Sequence, residues 1–414
     1  MGGQTFSNGR GARSWSIWLA ILVLLVSAGS PAAVFANEAE RAFGATLSAK
    51  DRRTFESYTS AKAFHELMSD EYWADVEEKR KGRRAKRKSD TPMTSKDYVD
   101  RFPPTYSGPE LPEALAKRWA AFLAQREKDG TAPPAPRPLP GLQDFLAHAK
   151  EQYGYVPERI DEREFKRRYA HEALRLGLTK EQVVRVYALE TSGLGTADMV
   201  AGIHPITKKG KPISSAIGYA QLLAANTTSE LVKHGADFIA RLEAKADRAA
   251  DERDRARLKQ KAKILAKMLK SAKSIPNEWD NHVAWSKTAR GLGIHAINLD
   301  GDIGPWLQVI KLDGLRELAA KKGRERLSGA EIELMNLAGP ATGLEMMTDV
   351  GRRAPTPNFF ARGAYWRNTI VRGKTAEELL VALDKRMDDN IKNQGAITFA
   401  EVFDEVARER QAAR

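Results

Sequence analysis

Apolar and polar residues nowhere alternate convincingly, the period that a half-buried strand requires, whereas apolar residues recur at three- and four-residue spacing in segment after segment. A chain patterned in this way buries its core between helices, so the fold is expected to be mainly α. Hydrophobic residues make up 42% of the 414, enough for a sizeable core. The chain has no Cys, so that core must hold without disulfides, and thiol nucleophiles and cysteine metal sites are excluded.

The helical pattern is divided by segments of other composition. Residues 1–36 begin with Arg10 and Arg13, continue in a short apolar run over residues 17–26, and close on small residues ending at Ala36. That is the order of a secretory signal peptide cleaved near Ala36. The run is short for a membrane span of about 20 residues, and an uncleaved N-terminal anchor is the other reading. Both make an exported, periplasmic protein. Residues 37–130 read as a helical, basic N-terminal region whose densest part, residues 79–88, is either a solvated segment or a patch that contacts the wall or a membrane surface. Trp119 and Phe122 in that region fit a core role. A Pro-rich linker at 131–141 marks a domain boundary. The domain at 142–372 follows, with a charged helical insertion at 240–273 that reads as an exposed helix or helical hairpin. Two C-terminal helices at 373–414 open on the capping boxes Thr375–Glu378 and Thr398–Glu401.

A net charge of +13 would direct a cytoplasmic protein toward nucleic acid. An exported protein meets different polyanions, the cell wall with its peptide carboxylates and the membrane surface, and no nucleic-acid partner is expected.

The segment most informative about chemistry is 178–193. Thr179 with Gln182 forms a capping box, and Gly193 supplies a stop. Val183, Val186, Tyr187 and Glu190 fall at i, i+3, i+4 and i+7 and share one face. The Glu190 carboxyl therefore sits on an apolar stripe in the last turn. Burial and the negative end of the helix dipole both favour its protonated form, which a general acid at neutral pH requires. A helix-end Glu that swings into water or pairs with an Arg is the alternative.

Three motifs resemble the soluble lytic transglycosylases of the goose-type lysozyme-like superfamily: a helix ending in Glu-Ser-x, then after a loop a Gly-x-x-Gln helix, then an Asn-Ala-Gly element. Residues 188–193 (ALETSG) look like the first, 214–223 (SSAIGYAQLL) like the second and 336–340 (NLAGP) like the third. The resemblance spans residues 179–372. It implies a lysozyme-like helical domain that cleaves the MurNAc–GlcNAc bond of peptidoglycan without water and leaves a 1,6-anhydro product, with Glu190 as the single acid/base. Ser215, Gly218, Tyr219, Gln221 and Asn336 would line the glycan groove, Gly218 by allowing close approach and Tyr219 as a stacking face or a core residue. The family has a Tyr before the Asn where this chain has Met335; Tyr187 or Tyr365 are candidate substitutes. No cofactor or metal is implied.

A water-using muramidase would need a second carboxylate roughly 6.5–9.5 Å away, for which Asp198 is the candidate. A non-catalytic peptidoglycan-binding or envelope-assembly protein is a further alternative. The basic loop at 204–212 is either a clamp for muropeptide carboxylates or a solvated loop. The seven His lack zinc spacing, and the acids of residues 298–304 (NLDGDIG) fit a turn better than a calcium loop.

Overall fold

The computed structural model describes residues 31–130 and 138–413, and the polypeptide divides into two compact units, Met1–Asp70 with Pro104–Pro136 and Glu71–Pro103 with Arg137–Arg414. The signal-peptide reading falls mostly on residues 1–30, and the linker reading mostly on 131–137, outside the described residues. Among the described residues every regular element is helical, and extended pairing is limited to isolated bridges. None of these helices is long and apolar enough to cross a membrane.

The smaller unit holds α1 (Pro31–Ala45), α2 (Ala49–Lys88) as far as Asp70, and α3 (Glu113–Lys128). Phe43, Leu47, Phe55 and Leu115 form its core, with Trp119 and Phe122 packed against them. The ring centroids of Phe43 and Trp119 are 4.9 Å apart, so the two aromatics of α3 are core residues, as their helical spacing suggests.

The larger unit contains the rest of α2 and, in order, α4 (Leu142–Tyr153), α5 (Glu162–Leu176), α6 (Lys180–Thr191), α7 (Ala224–Asp247), α8 (Glu252–Ala272), α9 (Trp279–Trp285) and α10 (Ala289–His295). It continues with α11 (Ile303–Ala320), α12 (Gly329–Ala338), α13 (Pro340–Met346), α14 (Arg362–Arg367), α15 (Ala376–Asn390) and α16 (Gln394–Ala412). Thus residues 71–103, which composition groups with the N-terminal region, pack in the larger unit.

The basic run 79–88 is solvated only in part: Lys81, Arg84 and Lys88 are exposed, whereas Arg80, Arg83 and Arg87 turn toward protein. Arg83 is buried; its Nε donates to Glu345 Oε1 at 2.6 Å and its Nη1 to Asp97 O at 2.9 Å. Arg87 pairs with the same Glu345, and Arg80 donates to the carbonyls of Pro357 and Phe360. Guanidinium groups pack on carbonyls and a carboxylate here, which a buried Arg needs to offset its desolvation.

The charged insertion is the distal part of a helical hairpin, α7 with α8, that begins upstream at Ala224. Leu242, Ala246, Leu258, Ala262, Leu265 and Met268 are buried along it. Its charges also reach inward. The buried Lys261 Nζ lies 2.9 Å from Asp300 Oδ1, 2.7 Å from Asp302 Oδ2 and 2.9 Å from Glu158 Oε2. An ammonium group thus neutralises the two alternate acids of the 298–304 turn. The buried Asp302, despite a desolvation that raises its pKa, is pulled down to about 2 by Lys261 and Lys245.

Of the two C-terminal capping boxes, Thr375–Glu378 opens α15. The second is corrected: Thr398 lies inside α16, whose N-cap is Asn393. The helix begins earlier because its first turn docks on the end of α6, with Ala396 N donating to Gly193 O at 3.0 Å.

Candidate functional site

Helix α6 begins at the predicted capping box: Thr179 accepts from Gln182 N at 3.2 Å, and the Gln182 side chain returns a bond to Thr179 N at 3.0 Å. It ends at Thr191, with Ser192 and Gly193 both left-handed. A Cβ on Gly193 would meet Asn390 O at 2.2 Å, so the stop also gives close approach to the end of α15. The terminal carbonyls of α6 are satisfied from the same side, Ala188 O by Asn390 Nδ2 at 3.0 Å and Ser192 O by Asn393 Nδ2 at 2.8 Å. The C-terminal helices therefore hold the end of α6 in place.

On the apolar stripe, Val183, Val186 and Tyr187 are buried, and Glu190 is half-buried in the last turn. Its carboxyl faces α12. Asn336 Nδ2 donates to Glu190 Oε1 at 3.1 Å and lies 3.4 Å from Glu333 Oε2, and Glu190 and Glu333 are hydrogen-bonded to each other. Burial pushes the Glu190 carboxyl up to about 7, while hydrogen bonds from Glu333 and Asn336 act to lower it. Glu333 is pushed well above the ordinary carboxyl range by burial, by the neighbouring Glu190 charge and by their shared bond. With Glu333 enclosed and Glu190 in contact with it, the two carboxyl groups do not both ionise near neutral pH, and the pair retains a proton there.

The structure brings one of the expected groove residues, Asn336, onto Glu190. The second motif forms a tight turn instead of a helix, with Gly218 and Gln221 in the left-handed region. Gln221 Nε2 donates to Gly218 O at 2.8 Å and to Met199 O at 3.1 Å, holding the loop that follows α6 against its own turn. A Cβ on Gly218 would meet Gln308 Nε2 at 2.4 Å, so the close approach seen at this glycine is to the Gln308 amide. Of its two readings Tyr219 takes the core one and not the stacking face: it is 1% exposed, packed on Phe165 and Tyr187, and its hydroxyl donates to Glu162 Oε2 at 2.5 Å. Ser215 Oγ accepts from Ala224 N, and its residue lines a cavity of about 460 Å³ with Leu223, Trp279, Asp144 and Lys287.

Neither candidate tyrosine takes the place before Asn336. Tyr187 donates its hydroxyl to Gly195 O at 2.7 Å, and Tyr365 accepts from Gly373 N at 3.0 Å. Met335 itself is fully buried against Gly343. Asp198 is engaged by Thr196, Arg159 and Lys208, which hold it below the ordinary range although its partial burial acts to raise it. The residue sequence reasoning missed is Glu333. Its spacing of three from Asn336 puts both on one face of α12, and that spacing was the available signal.

The remaining basic residues of the 204–212 loop are exposed, apart from the Lys208–Asp198 pair. Among the described residues no group of three or more His, Asp or Glu is arranged to hold a metal ion. Compared with protein-family models, curated proteins and solved structures, the chain matches none.

Proposed function

We propose that the protein is an exported peptidoglycan lytic transglycosylase with a lysozyme-like helical domain, and that Glu190 is its acid/base. The observation that carries this reading is the half-buried Glu190 carboxyl at the end of α6, kept protonated near neutral pH by burial and oriented by Asn336. In this reaction Glu190 protonates the glycosidic oxygen after MurNAc. The substrate's own N-acetyl group stabilises the positive charge at C1. The Glu190 carboxylate then takes the proton from the C6 hydroxyl as that oxygen closes onto C1. One carboxyl cycles between acid and base, and no water is consumed.

Two features favour this course over hydrolysis. A hydrolase that inverts needs an ionised carboxylate roughly 6.5–9.5 Å from the acid, with room for water between. Asp198 is committed to Arg159, and Glu333 is in direct hydrogen-bond contact with Glu190. The substrate is an exported polymer in keeping with the leader-like start and the basic chain.

The test is to incubate the mature protein with purified peptidoglycan and weigh the released muropeptides. Products lighter by one water than hydrolytic muropeptides establish the transglycosylase. Reducing ends would make it a muramidase, and binding without release a non-catalytic wall protein.

A further inference from the structure

We propose that Glu333 is a positioning residue that remains a neutral carboxylic acid through the cycle and donates its proton, in a hydrogen bond, to the Glu190 carboxylate. The proposal rests on the reading of Glu190 given above, but its geometry stands independently. Glu333 is 1% exposed on α12, whereas Glu190 is reachable from solvent at the end of α6. The group nearer water ionises first, and the enclosed one retains its proton. Once Glu190 has given its proton away, its carboxylate meets two donors, Asn336 Nδ2 and the Glu333 hydroxyl. Both are aimed at charge that exists only after the transfer, which is where a fixed donor lowers a barrier. The proton on Glu333 is never released, so the transfer balances with Glu190 alone as donor and acceptor.

The surrounding charges leave this pair to itself. Four helices pack on α12. From α6, Glu181 accepts from Gly329 N, and Arg185 turns to Asp384 and Asp388 of α15. On α13, Glu345 is taken by Arg83 and Arg87. On α11, Asp313 pairs with Arg316, and Lys311 faces Glu230. Glu331 of α12 itself pairs with Arg324. Among the described residues, the ionisable group acting on Glu333 is Glu190.

Three variants and one spectrum test this. Glu333→Gln keeps a neutral donor; anhydro-muropeptide release should stay within about threefold of wild type, with the alkaline limb of its pH profile in place. Glu333→Leu keeps the burial and removes the donor; release should fall about tenfold or more, and the limb should move to higher pH because the Glu190 carboxylate has lost a stabilising bond. Glu333→Asp should fall between them. Infrared difference spectra of the full chain should show one protonated carboxyl band persisting above the titration of Glu190, absent in Glu333→Gln. A Gln variant as impaired as Leu, or a limb that moves down, would mean that Glu333 works ionised and would overturn the proposal. Absence of the persistent carboxyl band in the wild type would also overturn it, whatever the activity. A band present without any glycan release leaves the neutral Glu333 standing and removes the transglycosylase reading instead.

Discussion

Asn336 Nδ2 stands 3.1 Å from Glu190 Oε1 across 146 positions of sequence. That contact links the end of α6 to α12, and the same amide lies against two carboxyl groups.

Glu190→Gln should remove anhydro-muropeptide release by about 10²–10⁴-fold while leaving the helical content unchanged. Mass spectrometry of digested peptidoglycan and far-ultraviolet circular dichroism check the two halves. Release that persists in this variant removes Glu190 from the mechanism.

The same carboxyl sets a pH dependence. Its pKa is raised from 4.5 to about 7, so the protonated form that the reaction needs is depleted as pH rises through about 7, and activity should fall there. Stability follows the same sign. The folded chain holds this proton more tightly than the unfolded chain does, so the contribution is complete below about 4.5, declines as pH rises, and levels off above about 7. The slope in that window is at most about 1.4 kcal/mol per pH unit. Urea titrations of wild type and Glu190→Gln at pH 5 and 8 should converge at the lower pH, with the variant the more stable at the higher.

Asn336→Ala removes the amide from both carboxyls. A hydrogen bond to a charged group contributes about 1.5–3 kcal/mol, so kcat should drop by roughly ten- to a hundredfold with little change in KM. An effect confined to KM would show that Asn336 holds substrate and not Glu190.

Removing Glu345 should leave Arg83 buried without its carboxylate. Glu345→Ala is expected to destabilise the larger unit by about 3–5 kcal/mol in a denaturant melt. Arg84→Gln and Lys88→Gln, exposed in the same basic run, should be within about 0.5 kcal/mol of wild type. Equal effects of all three would contradict the inward role of Arg83.

Lys261→Ala leaves Asp300 and Asp302 buried beside each other without their ammonium, and a loss of about 3–5 kcal/mol is expected by the same measurement. A near-neutral outcome would show that Lys245 and Arg168, which both pair with Asp302 Oδ1, suffice to hold the turn.

Much of the local structure is legible in the sequence because it depends on neighbours a few positions apart. The capping boxes at Thr179 and Thr375, the stop at Gly193 and the placement of Glu190 on an apolar stripe are relations between near neighbours, visible by counting. The start of α16 was misplaced because a contact with Gly193, not its own capping residue, decides where that helix begins.

The sequence alone determined that this chain is helical and that Glu190 lies on the apolar stripe of a helix end. Only the tertiary structure decided what Glu190 meets there. It placed Glu333 against it, turned Tyr219 into the core and drew Arg83 inward to Glu345. The reason is physical: periodicity dictates which side of a helix is buried, but which residue stands opposite depends on how distant helices pack, and no local pattern encodes that.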